Sequence, residues 1–102
     1  MADATMMAWF MMVTMKVIYK KLGREKLWGE ADLADNTITL DTRLKSRKHL
    51  EILIHECSHI LLPGANEEEI VRISTALTRV LWKENYRRIE SDDNIPLQDG
   101  SI

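Results

Sequence analysis

Apolar residues change their spacing near residue 46, and the change divides the chain into a strand-like half and a helix-like half. Residues 15–22 (MKVIYKKL) group Val17, Ile18 and Tyr19 before Gly23 ends the run. Residues 26–33 (KLWGEADL) and 37–41 (TITLD) alternate apolar with polar positions, as half-buried strands require. Asp35-Asn36 between them are residue types that accept positive φ in a tight hairpin turn. Gly29, inside the second run, predicts a bulge or a close backbone approach. Three strands in a small, largely antiparallel sheet follow from this pattern.

Beyond Ser46 the apolar period lengthens to that of a helix. Ser46 is of a capping type, and the pattern predicts a helix over 47–62 that Pro63-Gly64 breaks. Asn66 followed three residues later by Glu69 has the form of a capping box. Glu67, Glu68 and Glu69 also bring negative charge to the positive end of that second helix, which is predicted to run to about residue 89. The expected fold is α+β, a small sheet of about three strands packed on two helices. Its single domain spans 15–90. Residues 1–14 form a Met-rich leader, expected to be disordered or loosely packed, and 91–102 form a polar tail without periodicity, expected to be disordered.

On the first helix the sequence HECSH, residues 55–59, carries the chemistry. Successive residues turn about 100° around a helix axis, so from His55 the side chain of Glu56 lies at about 100° and that of His59 at about 40°. Leu50, Leu53, Ile54, Cys57, Ile60 and Leu61 gather on the far side, which predicts a core face opposite a polar face carrying both histidines. Histidines one turn apart can both reach a zinc ion at about 2.0–2.1 Å. A glutamate beside the first one stands next to the metal without ligating it, where it serves as a general base toward a zinc-activated water. His49 lies at about 120° on the same helix and is expected to be exposed, a candidate to touch a metal ligand or the substrate. Tyr86 is a second such candidate.

Catalytic zinc sites usually take three protein ligands. No cysteine or histidine follows His59, so the candidates for the third are the carboxylates Glu67, Glu68 and Glu69. Glu69 is committed to the cap and Glu68 points outward. Glu67 shares a side with Ile70, Ser74, Leu77 and Leu81 and is the expected ligand.

The stretch HLEILIHECSHILLPGANEEEIVRISTALTRVLW resembles the minimal zincins of phage and bacterial genomes, in which an HExxH helix is followed by a short loop, an acidic pair and a second helix. More distantly it is similar to the gluzincin-like metallopeptidases of the ImmA/IrrE type. The resemblance spans about residues 15–88 and places the ligand glutamate on Glu67 and the next acid on Glu69. Ile70 stands where that pattern has alanine, and no large C-terminal subdomain follows. The resemblance implies a zinc metallopeptidase with a protein or peptide substrate.

Composition narrows the alternatives. The chain has 102 residues and a formal net charge of −2, which gives no electrostatic reason to expect nucleic acid or an anionic membrane as partner. The apolar run at residues 6–13 (MMAWFMMV) falls far short of the roughly 20 residues that span a bilayer. Cys57 is the single cysteine, so an intrachain disulfide is excluded and a cytoplasmic setting is expected. The competing expectation is a non-catalytic module in which zinc ties two helices together for protein interaction, since small domains often need such a staple.

Overall fold

The computed structural model describes residues 14–23 and 27–89, so most of the leader and the polar tail lie outside the described residues. Five elements follow one another: β1 (Lys16–Lys20), β2 (Gly29–Asp32), β3 (Thr37–Asp41), α1 (Ser46–Leu61) and α2 (Glu67–Lys83). The fold is the expected small α+β arrangement, with HECSH on α1. The sheet, however, is mixed. β3 is its central strand, antiparallel to β2 but parallel to β1, with Lys16 opposite Thr37 and Lys20 opposite Asp41.

The centre of the sheet is also the centre of the core. Ile38 and Leu40 of β3 are fully buried, and they cluster with Leu44 and Ile60, with Ile52, Leu53 and Cys57 of α1 packed alongside. The opposite end of β3 is fixed by a buried carboxylate. Asp41 accepts hydrogen bonds from the backbone N–H groups of Leu22, Gly23 and Arg43 and a bidentate pair from the Arg43 guanidinium at 2.8 and 2.9 Å. Its partners lie on both sides of β3, so Asp41 ties the end of β1 to the start of the helical half. These donors hold its carboxyl far below the usual range.

The β2–β3 connection uses Asn36 at φ 53°, and the Asp32 carboxylate accepts from the N–H groups of Ala34 and Asp35 inside the turn. Gly29 makes the close approach that its place in the strand predicts. A Cβ built there would stand 2.8 Å from Ile52 Cγ2 and 3.2 Å from Glu56 Cγ, so the missing side chain lets β2 lie directly against α1.

Helix boundaries differ from the sequence expectation in two places. Ser46 is the first residue of α1 rather than its cap; it has φ 53°, Lys45 precedes it in extended backbone, and no side chain caps the helix. α2 begins as expected, with Asn66 and Glu69 forming both bonds of the capping box at 2.8 and 2.9 Å. It stops at Lys83, not near 89. Asn85 takes φ 70°, its N–H reaches the Trp82 carbonyl, and the Tyr86 N–H reaches that of Leu81. That is a Schellman ending, with asparagine supplying the left-handed residue in place of glycine. No helix among the described residues is long and apolar enough to cross a membrane.

Candidate metal centre

The turn between the helices decides the site. The Leu62 N–H returns to the Ser58 carbonyl and the Ala65 N–H to Leu62, so Pro63-Gly64 reverse the chain in a single tight bend. α2 then runs back along α1, burying Ile70, Ser74 and Thr78 at four-residue spacing. Two of these are small, as is the buried Ser58 of α1, and small side chains let the helix backbones come close. Leu77 stays half-exposed, off this stripe.

This return brings Glu67, the first residue of α2, over the first helix. Its Oε2 lies 3.1 Å from His55 Nε2 and its Oε1 lies 3.1 Å from His59 Nε2. The two imidazole rings stand edge to face with centroids 5.0 Å apart. One ligand-type atom from each of the three residues falls within a 4.8 Å span. The donor set suits zinc: two neutral imidazole nitrogens and one carboxylate are the combination of a common hydrolytic site. Two ligands at 2.0–2.2 Å on one tetrahedral ion stand about 3.3 Å apart, close to the nitrogen–oxygen distances seen here. Glu68 and Glu69 take no part; Glu69 closes the cap, and Glu68 lines a separate surface dip with Asn66 and Arg72.

Glu56 is placed differently from its two neighbours. His55 and His59 are partly open and Glu67 is exposed, but Glu56 is buried between β2 and the histidines. Burial pushes its carboxyl up, while the neighbouring His55 and His59 pull it down. The face of α1 expected to be polar and solvent-facing is therefore covered on the Glu56 side. Ile52 and Glu56 rest against the sheet, so the helix is sandwiched between sheet and α2 rather than two-faced, and Leu61 of the expected core stripe is half-exposed.

His49 departs furthest from expectation. It is buried, not exposed: its Nε2 lies 2.8 Å from the Tyr19 hydroxyl, and the two rings are stacked. Tyr19 of β1, which a helical wheel cannot report, supplies part of that cover. His49 and Tyr86 share a cleft on the other side of α1, apart from the cluster of His55, His59 and Glu67. Sequence reading missed Asp41 and Ser58 as well. An aspartate ending a strand two residues before an arginine was the available signal for the first.

Comparison of the chain with protein-family models, with curated proteins and with solved structures finds no match.

Proposed function

We propose that this protein is a zinc-dependent metallopeptidase, acting on a protein or peptide substrate, with His55, His59 and Glu67 as metal ligands and Glu56 as general base. One observation carries the reading: two imidazole nitrogens from one helix converge on both carboxylate oxygens of a glutamate from another, each at 3.1 Å, with a buried carboxylate beside them. The resemblance of the HECSH helix and its acidic sequel to minimal zincins supports the same reading. Bound zinc supplies Lewis acidity and brings the pKa of water down to about 7.

The chain's own groups do the remaining work. His55 and His59 would hold the ion from one helix face, and Glu67 would close the set across the inter-helix turn. Glu56, fixed by its methylenes against Gly29, holds a carboxylate that accepts the proton of the attacking water and passes it to the leaving amine. An intracellular, cytoplasmic setting accords with a chain whose single cysteine excludes an intrachain disulfide.

A second reading, a non-catalytic zinc-stabilised interaction module, is favoured by a specific absence of help. Tyr19 is engaged with His49 and Tyr86 lines the distant cleft, so neither tyrosine is available to steady an oxyanion at the cluster. Glu56→Gln separates the two. It keeps shape and removes the base, so zinc content should stay at about one per chain while hydrolysis falls by about 10²–10⁴-fold. New protein termini generated in a proteome mixture by wild type and by the variant are the measurement. Identical termini from two zinc-loaded proteins would leave the interaction module as the better account.

A further inference from the structure

The cleft that holds His49 and Tyr86 has an organisation that the metal cluster does not use. Its volume is about 310 Å3, at the small end of ligand pockets, which run from about 300 to 1,000 Å3. Leu50, Leu53, Trp82 and Tyr86 line it with apolar surface, and Arg87 and Arg88 stand along it. Measured around the α1 axis from His55, Leu53 lies at about 160° and Leu50 at about 220°, so the cleft faces away from the histidine pair.

The two arginines are held by rings and carbonyls. Arg87 stacks over the Trp82 ring at 3.5 Å and donates from one guanidinium nitrogen to the Trp82 and Tyr86 carbonyls. Arg88 lies over the Tyr19 ring at 4.9 Å, and the Tyr19 hydroxyl is itself fixed against His49. Neither guanidinium meets a carboxylate among the described residues. The Schellman ending of α2 is what turns residues 86–88 back across the cleft; a helix continuing to 89 would carry them away from it. Two oriented cations beside an apolar floor match a ligand that is apolar at one point and doubly acidic next to it. The volume suits a bulky side chain and not an extended cofactor.

We propose that this cleft binds a segment of a partner protein in which adjacent acidic residues flank one large apolar residue, the apolar side chain entering between Leu53 and Trp82 and the carboxylates pairing with Arg87 and Arg88. The site is independent of the metal reading: it stands whether or not the cluster on the other side of α1 hydrolyses anything.

The test uses the full chain and a fluorescein-labelled peptide, Gly-Asp-Glu-Phe-Gly, with its Asn/Gln counterpart as control. Anisotropy should show the acidic peptide binding at least tenfold more tightly than the amide control, with a further loss between 50 and 300 mM salt, on the order expected for exposed ion pairs. R87E/R88E should abolish the difference between the peptides, and R87K/R88K should retain most of it. The Trp82 indole N–H should shift on titration, and zinc or chelator should leave the affinity unchanged. Absence of binding by wild type up to about 1 mM, or equal binding of both peptides, overturns the proposal. So does binding that appears only in D92N/D93N, because the chain's own C-terminal acids then hold the cleft. A wild-type dimer that R87E/R88E dissociates in sedimentation overturns it in favour of a second copy.

Discussion

Glu67 is two-thirds exposed, yet both of its oxygens are turned onto the histidines. An exposed carboxylate with free rotamers gains little from one ion pair in water, so the value of this contact rests on what all three groups can share. Glu67→Ala should weaken zinc affinity by at least the roughly 10–100-fold that loss of even an outer-shell partner costs, and Glu68→Ala should leave it within about twofold. Competition titration with a chromophoric chelator reads this directly; equal losses in the two variants would remove Glu67 from the ligand set. The histidine pair and its glutamate were legible in the sequence because helix geometry alone fixes residues one and four apart. Glu67 was legible because the three consecutive acids divide between inner face (Glu67), outer face (Glu68) and cap (Glu69). His49 was not, because Tyr19, which stacks on it and hydrogen-bonds to it, lies thirty residues earlier in the chain.

Between elements, the contact that matters most to the site is the one a missing side chain makes possible. β2 can lie on α1 only because Gly29 presents no Cβ to Ile52 and Glu56. Gly29→Ala should cost about 1–3 kcal/mol, the range for overpacking a filled interior, and lower the melting temperature by about 4–8 °C per kcal/mol. If the proposed peptidase reading holds, it should also lower peptide hydrolysis more than zinc content, since the displaced group is the proposed base and not a proposed ligand. A variant as stable and active as wild type would mean that β2 can simply move aside. The strand pattern announced this approach, as the Asn66–Glu69 spacing announced the start of α2, because both signals are local. The end of α2 was hidden: Asn85 adopts a left-handed conformation in a stretch, KENYRR, whose composition is otherwise that of a helix.

For the whole molecule, Asp41 links stability to pH. Its carboxyl is held far below its ordinary value of 3.8 by Arg43 and three backbone N–H groups, so it binds protons more weakly folded than unfolded. The stability it contributes is therefore present above about pH 4 and is lost progressively as pH falls below that, toward its depressed folded value. Urea midpoints between pH 2 and 6 should fall steeply at the acid end for wild type and more gently for Asp41→Asn, which starts lower; parallel curves would contradict the assignment. The fold class itself was legible from the change in apolar period. The mixed sheet was not, because alternation tells which side chains share a face and says nothing about which strands are neighbours. β3 becomes central because Ile38 and Leu40 need cover from both sides, and β1 supplies one side by lying parallel to it.

That placement of β1 sets an order of assembly. Asp32 and Thr37 pair across a turn of four residues, whereas Lys16 must find Thr37 across a separation of 21. Closing the longer loop costs more chain entropy, and its reward arrives only after the hairpin has formed a strand to dock against. β1 is thus the last strand to join and the first to detach, with its residues exposed and, among the described residues, no strand on its outer edge. In deuterium exchange its amides should open on their own, ahead of those of β2 and β3. Tyr19 would then leave His49 while the histidine–glutamate cluster stayed closed, so the two sides of α1 belong to different cooperative units.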